Sequence, residues 1–288
     1  MAKRTQSSMI LRVQELEGGV EAARAKIRMF GTSLPVCTYL TDGLLVDAGP
    51  GRLERSFMPF FRERRIVRLA VTHVHEDHCG LAARLQTERG APAYIPAGAE
   101  YSAAQRARLP LYRRLFWGPR PPFSADVFPE RIETESHTFQ VIRTPGHTRD
   151  HVCLFEPSRG WLFSGDVYAR SEPKLIFAEE DVPELVRTLN RLLELDVGTL
   201  FCAHAGVVED GRRALAAKRD YLLRIGQQVR HYLGLGYSLR RIDRILFPEK
   251  PSLTRISMGE WSSLNLVRGA AELSEVGDRV SEVGAQKR

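Results

Sequence analysis

No apolar run in the 288-residue sequence approaches the ~20 residues that a bilayer span needs. The first residues, MAKRTQSSMILRV, are basic at the start but carry only a short apolar patch, too little for a secretory signal. Both absences lead to the expectation of a cytoplasmic protein with no membrane partner. Cysteine is scarce: Cys37, Cys79, Cys153 and Cys202, with no CxxC spacing among them. In a reducing compartment such residues behave as small buried hydrophobes rather than as disulfides. Cys79 follows His78 and Cys202 lies two before His204, so both are expected to pack near a site without serving as ligands. Lysine is scarce too, with only six among the 42 Lys and Arg. Internal repeats are lacking. Histidine is limited to 8, yet three of these fall within six positions, in 71-VTHVHEDHCG-80.

What is present is an ordinary globular composition, 43% hydrophobic and 27% charged, long enough for one large domain or one with an appendage. Strand-like apolar runs recur at 44–46, 66–72, 93–95, 138–144, 152–155, 161–164 and 199–203. Helical patterns intervene at 81–86 and at 182–195, where Val182, Leu185, Leu189, Leu192 and Leu193 share a face. Strands mixed with helices on this scale predict a layered α/β architecture. From about residue 209 the texture becomes helical, with helices expected at 209–233, 239–246 (Ser238 as its N-cap) and around 260–273, and a small, polar, frayed last fifteen residues. The expected division is a catalytic domain over 1–210 and a basic helical extension over 211–288. Residues 211–250 hold ten Arg and Lys against three acids, an excess of +7 that equals the net charge of the whole chain. Such a segment attracts anionic partners, although a solvated helix face explains it as well.

His73 and His75, two apart, project from one side of an extended backbone. Asp77 and His78 continue past the strand end, where a turn brings them toward a second centre. Imidazole and carboxylate suit Zn²⁺, and also Mn²⁺ or Fe²⁺. Further candidates follow other strands: His147 in 144-TPGHTRDH-151, Asp166 in 163-FSGDVY-168 and His204 in 200-LFCAHAG-206. The Asp166 carboxylate is suited to bridge two cations and offset their repulsion.

The order His-X-His-X-Asp-His, Gly-His-Thr, Gly-Asp and a late His resembles the metallo-β-lactamase fold superfamily, from about Asp47 to His204. The resemblance implies an α/β fold, a four-layer αββα sandwich carrying here a C-terminal helical extension. It implies that His73, His75 and His147 bind one metal, that Asp77, His78 and His204 bind another, and that Asp166 lies between them, with two Zn²⁺ as the expected cofactor. Two cations ~3.5–4 Å apart share a water whose pKa falls toward ~7, and the resulting hydroxide attacks an ester-type bond. Asp77 is the candidate catalytic residue, orienting the nucleophile. Asp47, in 45-LVDAG-49, resembles the family's early aspartate, which supports a ligand histidine.

The sequence departs from the pattern at Leu81 and Asp150, each in place of a frequent glycine, which leaves the subfamily unassigned. Asp166 stands where one large β-lactamase subclass has cysteine. His151 is expected to support a ligand rather than to bind; His137 and His231 are expected at the surface, and Tyr168 in the core. The segment 101–125 carries five Arg and no acid among aromatics. It is read either as a lid that selects an anionic or amphipathic substrate, with Arg113 and Arg114 in that role, or as a helix burying Leu109, Leu111, Leu115 and Phe116. The leading expectation is a binuclear hydrolase of a small thioester or lactone-like substrate. The alternatives are a mono-iron sulfur dioxygenase and a small metal-dependent nuclease or phosphodiesterase. Nucleic acid is therefore a less favoured partner than a small molecule, and the helical tail is compatible with a homo-oligomer.

Overall fold

Apolar runs that stop at glycine or a polar cluster set many of the strand positions, and buried helix faces set by the 3.6-residue period set several of the helices. The computed structural model describes residues 11–29 and 31–275. The basic start of the chain (1–10) and most of the polar tail (276–288) lie outside the described residues. Those described fall into two units, one comprising residues up to 128 with 134–137, the other 129–133 with 138 onward.

In the first unit, β1 (Arg12–Leu16), β2 (Val20–Met29), β3 (Thr32–Thr41) and β4 (Leu44–Val46) form an antiparallel meander. β5 (Arg68–Ala70), β6 (Ala93–Ile95) and β7 (Asp126–Val127) extend the sheet in parallel from β4, giving the order β1-β2-β3-β4-β5-β6-β7. The connections carry α1 (Glu54–Glu63), α2 (Glu76–Cys79), α3 (Ala82–Arg89), α4 (Glu100–Ala104) and α5 (Leu111–Trp117). α1 buries Phe57, Met58, Phe60 and Phe61 and keeps Pro59 on its exposed side. The parallel strands β4 and β5 end at Val46 and Ala70, shortly before Asp47 and Thr72–His73, so one end of this sheet carries the polar residues.

In the second unit, β8 (Arg131–Glu133), β9 (Thr138–Arg143), β10 (Val152–Glu156) and β11 (Trp161–Gly165) pair antiparallel in sequence. β13 (Thr199–Cys202) joins β11 in parallel, and β14 (Gly206–Val208) closes the sheet order β14-β13-β11-β10-β9-β8. β12 (Ile176–Phe177) pairs only with β15 (Trp261–Ser262) among the described residues. α6 (Val182–Leu192) starts at Asp181, whose carboxylate accepts the Glu184 N–H at 2.8 Å, with Pro183 in the first turn. α7 (Gly211–Gly234) is capped by Asp210, α8 (Leu239–Leu246) by Ser238, and α9 (Ser252–Ile256) and α10 (Ser263–Ala271) follow. Leu185 and Leu189 of α6, Leu222 and Val229 of α7 and Leu266 of α10 share one core with the sheet. The C-terminal helices are thus packed into this unit, and no helix among the described residues is long and apolar enough to cross a membrane.

Candidate metal centre

The first unit builds its site from the ends of β4 and β5. Asp47 takes a left-handed backbone (φ 58°), which an aspartate tolerates better than most residues. One of its oxygens accepts the Thr72 N–H at 2.9 Å, and the Thr72 hydroxyl lies 3.0 and 3.1 Å from the two carboxylate oxygens. The other oxygen lies 2.7 Å from His78 Nδ1. A carboxylate can only accept here, so His78 carries its proton on Nδ1 and turns the lone pair of Nε2 outward. His73 Nδ1 lies 3.2 Å from the Thr72 hydroxyl. The His73 ring centre is 4.5 Å from that of His75 and 4.1 Å from that of His78. Asp77, in the first turn of α2, brings a carboxylate oxygen to 4.0 Å from His78 Nε2.

This backbone is tight. A Cβ on Gly80 would lie 2.5 Å from both the Glu76 carbonyl oxygen and the Gly51 nitrogen, so only glycine fits where the Asp47 loop crosses α2. That is the glycine the sequence keeps; at the position of the second, Leu81 is buried in the core. Cys79 is buried and its thiol donates to the His75 carbonyl at 3.1 Å. Burial pushes that thiol's pKa well up.

The second unit presents His147, Asp166 and His204 after β9, β11 and β13. The Asp166 carboxylate faces two histidines at once: Oδ2 is 3.4 Å from His147 Nε2, and Oδ1 is 3.3 Å from His204 Nε2. Its backbone N–H donates to His151 Nε2 at 3.1 Å, and His151 Nδ1 lies 2.8 Å from the Thr144 hydroxyl. His151 therefore holds the Asp166 peptide. On the far side of His147, Nδ1 is 3.6 Å from Glu180 Oε2, in ion-pair range, while Glu180 Oε1 accepts the Phe177 N–H at 2.8 Å. Lys218 of α7 is buried and donates from Nζ to the Val167 carbonyl at 2.6 Å. Burial holds its pKa below the ordinary lysine range. Cys202 receives the N–H groups of His204 and Ala205 at 3.4 and 3.2 Å and donates to the Tyr168 carbonyl.

All seven residues expected as ligands, His73, His75, Asp77, His78, His147, Asp166 and His204, belong to sets of side chains that could hold a metal ion. The model of the metallo-beta-lactamase superfamily matches residues 36–204 of the sequence. The chain belongs to the metallo-beta-lactamase superfamily. Hydroxyacylglutathione hydrolase of Pseudomonas paraeruginosa is 28% identical over 211 residues, 73% of this chain and 72% of its own length. Atrochrysone carboxyl ACP thioesterase of Aspergillus fumigatus is 24% identical over 208 residues, 71% of this chain and 60% of its own. Among solved structures, a beta-lactamase domain protein from Burkholderia ambifaria superposes with a TM-score of 0.62 at 17% identity, covering 92% of this chain and 85% of that one. That likeness bears out the α/β metallo-β-lactamase fold expected from the sequence. The chain is a metallo-beta-lactamase superfamily hydrolase.

The side chains of this superfamily hydrolase fit divalent cations. Imidazoles whose far nitrogen lies against a carboxylate or hydroxyl, as in His78 and His73, are held in orientation as ligand histidines are. Two neighbouring groups carry no sequence signal of their own: Glu180 sits in an acidic turn with no spacing to set it apart, and Lys218, in the basic segment expected as a solvated face, is buried.

Two expectations need correction. His137, expected at the surface, is buried with its N–H bonded to the Thr134 hydroxyl at 3.1 Å. In the 101–125 segment, α5 buries Tyr112, Arg113, Phe116 and Trp117 and leaves Leu111 and Leu115 exposed. Its period is that of an amphipathic helix, but the buried face is aromatic and includes an arginine in place of the leucines. Arg113 is paired with Glu76 inside the protein.

Proposed function

We propose that this superfamily hydrolase is binuclear and zinc-dependent and cleaves the acyl bond of a small thioester or lactone-like substrate. The observation that carries this reading is the Asp166 carboxylate, with one oxygen toward His147 and the other toward His204. A carboxylate so placed is suited to bridge two cations and to offset their repulsion. In this reading His73, His75 and His147 would hold one zinc and Asp77, His78 and His204 the other, with Asp166 available to either. A mixed imidazole and carboxylate set of this kind suits Zn²⁺, with Fe²⁺ and Mn²⁺ as the other metals the donors accept.

Two bound cations would supply a water acidified to near-neutral pKa and Lewis-acid polarisation of the scissile carbonyl. The rest is done by the chain. Asp47, through Thr72 and His78, keeps the imidazoles of its unit turned so that little reorganisation is needed on binding, and Glu180 lies in ion-pair range of His147. Asp77 accepts a hydrogen bond from the attacking water and directs it at the carbonyl carbon. His151 fixes the peptide of Asp166 and so the direction of its carboxylate. The thioester preference is supported by the two relatives, one named a hydroxyacylglutathione hydrolase and the other an acyl-carrier thioesterase. We assign hydrolysis to residues 1–210 and treat 211–288 as an extension whose described helices buttress the second unit, as Lys218 does at Val167. Part of its positive charge is paired at the surface: Arg224 pairs with Glu172, Arg219 with Asp220, and Arg212 donates to the Leu195 carbonyl.

The test is a panel of acyl thioesters, lactones, phosphodiesters and persulfides offered to zinc-loaded protein. Thioester or lactone turnover that vanishes in the Asp77→Ala variant supports the reading. Oxygen uptake with a persulfide, or cleavage of phosphodiesters alone, overturns it.

A further inference from the structure

Glu76 lies between His75 and Asp77, in the short helix that carries the metal-ligand motif, yet it is buried to 1% exposure. A buried carboxylate next to two ligands is a hazard, because it can compete for the cation and because its charge is costly to desolvate. The protein meets both problems with one residue. Arg113 of α5, itself only 8% exposed, donates from Nε to Glu76 Oε1 at 2.6 Å and from Nη2 to Oε2 at 2.8 Å. Both carboxylate oxygens are engaged by a planar fork whose geometry lysine cannot reproduce. α5 is in turn tied down: Arg52 Nη1 donates to the Leu115 carbonyl at 2.9 Å, and a Cβ on Gly118 would lie 2.7 Å from the Arg52 nitrogen.

We propose that Arg113 is a positioning residue for the metal centre: its bidentate grip on Glu76 fixes the peptide that aims His75 and Asp77, and keeps the Glu76 carboxylate out of the ligand set. The inference rests on the reading that His75 and Asp77 are ligands. Burial works against the Arg113 charge, and the Glu76 carboxylate more than offsets it, so the guanidinium stays protonated across the working pH range. Within the segment 101–117, Arg113 thereby acts on the site through Glu76.

The test uses cobalt(II) in place of the native metal, with metal-free full-length protein titrated and its visible spectrum recorded. Wild type, Arg113→Lys, Arg113→Ala, Glu76→Gln and the uncharged double variant Glu76→Gln with Arg113→Met are compared, each with its melting temperature. The expected result is that Arg113→Lys melts close to wild type while its cobalt affinity falls about 10-fold or more and its d–d bands shift, as second-layer supports of metal ligands do. The double variant regains stability over Arg113→Ala without regaining the wild-type spectrum. If Arg113→Ala does not fold, Arg113→Lys and the double variant decide. Wild-type cobalt affinity and spectrum in the folded variants would overturn the positioning role while leaving the metal site intact. A wild-type protein that takes up no cobalt would overturn the underlying reading and this inference with it.

Discussion

Asp47 Oδ2 and His78 Nδ1 lie 2.7 Å apart, both buried, on residues separated by 31 positions. The contact sets which nitrogen of His78 is available to a cation. Asp47→Asn keeps the shape and removes the charge; zinc affinity, measured by chelator competition, is expected to fall about 10- to 100-fold. Because Asp47 has φ 58°, Asp47→Gly should be more stable than Asp47→Ala by about 1 kcal/mol in urea denaturation of metal-free protein, although both lose the carboxylate. Unchanged zinc affinity in Asp47→Asn would remove Asp47 from the site.

His151 offers a second test, because it acts on a backbone group. Replacing it with Phe removes the acceptor of the Asp166 N–H, at an expected cost of about 1–3 kcal/mol of stability. Zinc should restore less of the melting temperature in this variant than in wild type, since the Asp166 carboxylate is no longer held in direction. Equal zinc-induced shifts in the two proteins would count against a role for His151 at the metal.

Lys218 predicts a pH dependence. Its pKa is depressed by burial from the ordinary 10.5. Between the depressed value and 10.5 the unfolded chain binds more protons than the folded one, so stability rises with pH through that window. Below it, the charged form is buried at a constant cost. Metal-free wild type should therefore gain stability on going from pH 8 to 10.5 relative to Lys218→Met, read from urea midpoints with chelator present. Parallel curves for the two proteins would mean that Lys218 is not titrating inside the fold.

Gly146, immediately before His147, has φ 134°, and a Cβ there would lie 2.6–2.8 Å from the backbone and Cβ of Leu185. Gly146→Ala is expected to lose about 2–5 kcal/mol from backbone strain and overpacking together. A loss under about 0.5 kcal/mol would mean that α6 yields easily and that the His147 loop is less constrained than its packing suggests.

The elements legible in the sequence are those whose side chains report their surroundings directly. β6 and β10 are continuous apolar runs, and α6 repeats leucine and valine at helical spacing behind an Asp cap. β2 escaped notice because its buried positions include Ala22, Ala23 and Ala25, which carry little strand signal between Arg24, Lys26 and Arg28. α1 escaped because Pro59 reads as a breaker, and only the structure shows that its missing N–H falls on the exposed side. At the site the ligand types were legible from their order along the chain. Their supports were not, since Glu180, Lys218 and Arg113 act through contacts between residues 33 to 51 positions apart or more closely tied by fold than by pattern.

The central claim is that seven side chains from four segments of the chain hold a pair of cations close together. Titration of metal-free protein with Mn²⁺, followed by electron paramagnetic resonance, tests it most directly. The account predicts two ions per chain, with the second equivalent producing an exchange-coupled spectrum that Asp166→Ala abolishes. One ion per chain, or two that remain magnetically independent, would contradict it.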